Sequence, residues 1–149
     1  MLVIALFISN QVSAGFDVTR MTTVVDDFSG SYTTTKNGRF DESAFLGTSF
    51  TDFSNFHISG EQDSAGLTGS ISKNVSRSEG YLETVSDGNL SFAGAENTLN
   101  ISFENLVVLF DEELTINGEV TVNDETFEVS DLPPRVAALL RKLFKLTRR

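Results

Sequence analysis

The chain has no cysteine and no tryptophan, only two prolines, which are adjacent, and a single histidine. Without cysteine there is no disulfide, no thiolate metal site and no lipid-acceptor thiol; position 15, where an acceptor would stand after export, is glycine. Crosslinks are not required at this size, since about 135 mature residues bury roughly two thirds of their unfolded surface in an unaided core. Exported eukaryotic domains often lean on disulfides, so the missing cysteines favour a bacterial envelope or secreted protein. A lone histidine, His57 between Phe56 and Ile58, builds no transition-metal site without several carboxylate helpers, and a satisfied strand histidine explains it better than a general base. The Gly-x-Ser-x-Gly, His-Glu-x-x-His, Walker and Gly-x-Gly-x-x-Gly patterns are all missing, so neither a catalytic motif nor a cofactor is implied.

Long apolar runs are missing too. A membrane-spanning helix needs about 20 predominantly apolar residues, and the longest candidate, residues 2–8, falls far short. That run, followed by Ser9, Asn10 and then Val12-Ser13-Ala14-Gly15, has the form of a secretory signal cleaved after Ala14. Residues 1–14 are therefore expected to be a signal peptide and the mature protein to be periplasmic or extracellular. The basic residues that usually precede such a run are missing, which would fit a start further upstream. A buried N-terminal strand is the alternative for the same composition. Three Asn-x-Ser triplets, at Asn74, Asn89 and Asn100, are expected by chance in a chain so rich in Asn and Ser.

Positive charge is scarce where most of the chain lies. Residues 15–131 hold all 21 acidic side chains and five basic ones, a body near −16, whereas the last 18 residues hold six basic and no acidic. Such a body repels phosphate backbones, which excludes nucleic acid as a partner, and its acidity serves solubility. The paired acids Asp26-Asp27 and Glu112-Glu113 point to opposite faces of a strand, so neither pair works alone as a hydrolase dyad. A cryptic carboxylate hydrolase would need one of them to meet an acid from another strand. Calcium ligation at Asp26, Asp27 or Asn123-Asp124-Glu125 lacks the Asp-x-Asp-x-Asp-Gly loop, and turn chemistry accounts for those residues.

What is present is β pattern. Residues 15–131 predict a mainly β domain, an antiparallel meander forming a strongly curved sheet or small barrel. Leu114, Ile116, Gly118, Val120 and Val122 alternate, Asn123-Asp124-Glu125 turns the chain, and Phe127 and Val129 resume, which predicts a hairpin over 113–130. Further strands are expected near 19–25, 29–35, 55–62, 66–74, 81–86, 89–93 and 99–110, with two-residue turns at Asn37-Gly38 and Asp87-Gly88. Five apolar-x-Gly steps, ending at Gly30, Gly60, Gly69, Gly94 and Gly118, suggest sharp bends or room for a facing aromatic. Their uneven spacing argues against a solenoid. Open edge strands of such a sheet could pair between copies.

Two features carry candidate binding surfaces. Phe40, Phe45, Phe50, Phe53 and Phe56 fit no simple period, although Phe50, Phe53 and Phe56 could share a short helical turn. These rings fill the core or, in the functional alternative, Phe45, Phe50, Phe53 and Phe56 line an apolar ligand cavity. After Pro133-Pro134, residues 132–149 predict an amphipathic helix. Val136, Leu139, Leu140, Leu143, Phe144 and Leu146 fall on one arc, and Arg135, Arg141, Lys142, Lys145, Arg148 and Arg149 on the other. Three partners compete for it: the protein's own core, an anionic membrane surface, or an acidic groove on another protein. The sequence thus points to an exported non-enzymatic binding or structural module, with a membrane-surface protein and a carboxylate hydrolase as rivals.

Overall fold

The structure, a computed structural model, describes residues 2–12, 15–58 and 65–148. Among them ten strands form one sheet: β1 (Leu2–Val12), β2 (Gly15–Val25), β3 (Ser31–Asp41), β4 (Ala44–His57), β5 (Gly66–Ser78), β6 (Tyr81–Ala93), β7 (Thr98–Phe110), β8 (Leu114–Asn117), β9 (Glu119–Val122) and β10 (Glu125–Glu128). Every pairing is antiparallel, and each strand lies beside its sequence neighbour from β1 to β7; β8 and β9 then both pair with β7, and β10 closes on β9. The meander is curled but not closed. A 3₁₀ turn (Val129–Asp131) leads to a single helix, α1 (Pro134–Leu146).

The expected 113–130 hairpin is present with its turn where the sequence puts it. Val122 pairs with Glu125, and Asn123 and Asp124 between them both have positive φ, 46° and 70°, the conformation that suits a tight hairpin and that Asn and Asp tolerate best. Its first limb is bent: Gly118, at φ 128°, divides β8 from β9, a conformation open to glycine and closed to most side chains.

The two expected Asn-Gly and Asp-Gly turns are corrected by the structure. Gly38 lies inside β3 and Gly88 inside β6. Both are places where a ring occupies the space of a missing side chain, Phe45 over Gly38 and Phe103 over Gly88. The phenylalanine run is likewise not helical. Phe40 lies in β3 and the other four in β4, where Phe45 and Phe53 point inward and Phe50 outward; a bulge between Phe53 and Phe56, with Asn55 at φ 50°, adds a residue and turns Phe56 inward as well.

Residues 2–12, the apolar part of the expected signal, form the edge strand β1, paired with β2 along its length. Leu2, Val3 and Ile4 are exposed there and contribute nothing to the core. Residues 13 and 14, where cleavage is expected, and Gly60 lie outside the described residues.

The core is the concave face of the curl filled by the helix. Leu67, Ile71, Leu106, Val108 and Val120 are inaccessible on the sheet side, and Val136, Leu140, Leu143 and Phe144 are buried on the helix side. Pro133 caps the helix and Pro134 starts it, which costs nothing because first-turn amides have no intrahelical acceptor. At the other end the Thr147 amide donates to the Leu143 carbonyl and ends the helix.

Candidate functional site: a basic hollow at one end of the curl

Directly paired residues of antiparallel strands share a face, so the register itself draws rows of side chains across the sheet. One row on the concave face runs Arg20, Lys36, Ser49, Lys73, Ser86 from β2 to β6. The next runs Val18, Gly38, Gly47, Val75, Thr84, and the third, nearest the strand ends, runs Phe16, Phe40, Phe45, Arg77, Leu82 and then Phe110 on β7. The middle row lacks side chains at its centre. The Phe45 ring lies over that gap: a Cβ on Gly38 would sit 2.6 Å from Phe45 Cζ, and one on Gly47 2.9 Å from it.

Between these rows lies a hollow of about 380 Å³ lined by Val18, Arg20, Lys36, Phe40, Phe45, Val75, Arg77, Leu82 and Arg148. Phe16, Phe40 and Phe45 form a ladder along one wall, with centroids 5.5 and 4.9 Å apart. Arg148 arrives from just beyond α1 and lies 5.0 Å over the Phe110 ring. The hollow falls within the size range of small-molecule sites, roughly 300–1,000 Å³.

Its electrostatics are unusual for this chain. Four of the five basic residues of the acidic body, Arg20, Lys36, Lys73 and Arg77, belong to these rows, and Arg148 joins them from the tail. Among the described residues none of Arg20, Lys36 and Arg77 has a carboxylate within ion-pair distance. Burial, together with the charges of Arg20 and Arg77, pulls the half-buried Lys36 ammonium down to a pKa of about 8. Burial and the charge of Lys36 pull Lys73 down to about 7. Lys73 is nonetheless satisfied: Nζ donates to Thr147 Oγ1 at 2.7 Å and to the Thr147 carbonyl at 3.1 Å, and it lies 5.3 Å over the Phe144 ring. It therefore latches the end of the helix into the sheet. Between the two lysines, Ser49 Oγ is buried without a hydrogen-bond partner among the described residues.

The residues expected from sequence are distributed as follows. Val136, Leu140, Leu143 and Phe144 meet the core, and Leu139 and Leu146 pack partly against it. Arg135, Arg141, Lys142, Lys145 and Arg148 are on the exposed side; Arg141 donates to the Leu114 carbonyl at 3.0 Å. Arg149 lies outside the described residues. The four phenylalanines do not line one cavity, which corrects that expectation: Phe45 walls the hollow, Phe50 is exposed on the outer face, and Phe53 and Phe56 lie in the core around Tyr32. The alternation of β4 and its bulge separate them. Sequence reading missed Arg20, Lys36, Lys73 and Arg77 altogether, and no local pattern marks them, because strand pairing alone brings them together.

His57 meets a carboxylate, but as a clamp. Asp26 Oδ2 accepts from the His57 amide at 2.8 Å and from Nδ1 at 2.9 Å, while Oδ1 accepts from the Phe28 and Gly30 amides, both at 2.8 Å. Burial pushes the Asp26 pKa up, yet these four hydrogen bonds outweigh it and hold it at about 2. Each carboxylate oxygen is taken by two donors. The pair thereby ties the β2–β3 turn to β4. A surface groove of about 650 Å³ is lined on the outer face mainly by Ser, Thr and Asn with Asp87, Glu104 and Glu119, beside Gly88 and Phe103. Its polarity is that of the solvated face of a half-buried sheet.

The fold and site thus define an open, helix-filled β meander with a cationic hollow at one end. The chain matches no protein-family model, no curated protein and no solved structure.

Proposed function

We propose that this protein is an exported, non-enzymatic binding module of the bacterial envelope, and that the hollow walled by Arg20, Lys36, Arg77 and Arg148 is its recognition site for a small anion. The observation that carries this is the gathering of cations that have no counter-ion among the described residues, in a chain of net charge −10. Crowding like charges costs free energy that the folded protein must offset elsewhere, and an anion arriving in the hollow relieves it.

The rival reading, a tail engaging anionic lipid, has the exposed arc of Arg135, Arg141, Lys142 and Lys145 in its favour. Against it stands the apolar arc, whose Leu140 and Phe144 are wholly buried in the curl. A membrane-bound helix needs that arc in the interface.

Titration calorimetry with small carboxylates and inorganic phosphate at low salt tests the anion site. Arg20→Gln and Lys36→Gln are each expected to weaken binding about tenfold, the equivalent of about 1.4 kcal/mol for one charge-assisted contact. Absence of binding for every anion tried would sink the proposal.

A further inference from the structure

The three rows differ in chemistry, and their side chains differ in exposure. Arg20 and Lys36 stand in the inner row, whose continuation through Ser49 reaches the buried Lys73. Val18 and Val75 flank the bare glycine pair in the middle row. Phe40, Phe45 and Leu82 stand in the outermost row, at the end of β3 and the starts of β4 and β6, with Arg77 among them. The apolar part of the lining is the more buried part: Val18, Phe45 and Leu82 are buried, whereas Arg20, Arg77 and Arg148 are exposed and Lys36 is half-buried, so an apolar floor is bordered by cations. A fully polar anion would leave that floor wet; a neutral apolar molecule would cover the floor and leave the cations beside it uncompensated.

We infer that the ligand is an amphipathic small anion, a carboxylate or phosphate head on an acyl or aryl body. The head meets Arg20 and Lys36, and the body lies on the Phe40–Phe45 wall above the glycine pair. Arg77 and Arg148, exposed like Arg20, border the hollow and add to the positive charge that the head meets. The inference rests on the anion site proposed above, and adds to it the demand for an apolar body.

Five probes, used on the full chain below their micelle-forming concentrations, separate the two claims: decanoate, decanol, acetate, decyl phosphate and inorganic phosphate. Decanoate or decyl phosphate, whichever head fits, is expected to bind at least about tenfold more tightly than its head alone and than decanol, and the better of the two identifies the source of the head. Phe40→Ser should weaken the tailed anion and leave acetate and phosphate unchanged, whereas Lys36→Gln should weaken all anions. Both residues are partly exposed, and circular dichroism verifies that each variant is folded. Acetate or phosphate binding as tightly as its decyl counterpart would overturn the amphipathic ligand and leave the anion site standing. Decanol matching decanoate, with Lys36→Gln without effect, would overturn both, as would failure of all five to bind.

Discussion

At the scale of single residues, the clearest division of labour is between charges that are paired and charges that are not. Asp26 is buried with all its acceptors used, and its pKa lies near 2 because the donors it serves are worth more to the carboxylate than burial costs it. Since the folded value is below the ordinary carboxylate value of 3.8, the stabilisation is complete above that pH and is lost as the pH falls through about 2. Asp26→Asn keeps the shape but replaces one acceptor by a donor facing donors, and is expected to cost about 2–4 kcal/mol at neutral pH. Denaturant unfolding followed from neutral pH into acid checks both parts: the variant should start lower and show a shallower acid limb. Equal stability at neutral pH would mean that the clamp is ornamental. None of this was legible in the sequence, where Asp26 stands beside Asp27 as a generic acidic pair and His57 as a lone strand histidine.

At the scale of elements, the sequence announced those parts whose signals are local. The Asn123–Asp124 hairpin and the helix after Pro133-Pro134 depend on turn chemistry and on a clean period, and both form where the pattern places them. The Asn37-Gly38 and Asp87-Gly88 pairs misled because the same dipeptide that permits a tight turn also permits a ring to lie on a strand, and only the facing strand decides between the two. The latch between sheet and helix was equally hidden, joining residues 73 and 147. Its energetics can be measured. Unfolded Lys73 holds its proton up to about 10.5, but folded Lys73 only up to about 7, so between these values the unfolded state binds more protons and stability rises with pH. Below that window the buried charge costs its full amount. In Lys73→Met the contribution disappears, and denaturant unfolding between about pH 7 and 10 should show a flatter rise, the remainder coming from Lys36, which acts in the same direction between about 8 and 10.5. An unchanged slope would mean that Lys73 stays protonated in the fold, held by Thr147 and the Phe144 ring.

At the scale of the whole molecule, charge and burial together decide what the basic tail can meet. The body near −16 and the tail of six cations would attract one another even without apolar contact, and the curl supplies that contact by enclosing Leu140, Leu143 and Phe144. To reach a bilayer the helix would have to surrender this burial, at about 1.5–3 kcal/mol for each large apolar side chain, and its acidic body would be repelled by the same lipids that attract the tail. Co-sedimentation with anionic and neutral vesicles at low and high salt is therefore expected to leave the full chain in the supernatant throughout. The chain shortened to residues 1–131 should instead expose the lining of the curl and aggregate or lose its cooperative unfolding, because the helix supplies four of the buried core side chains. Salt-sensitive pelleting of the full chain with anionic vesicles alone would reverse the conclusion. It would show that the helix leaves its seat, release Lys73 from Thr147, and make the hollow beneath it a consequence of docking rather than a site built for a ligand.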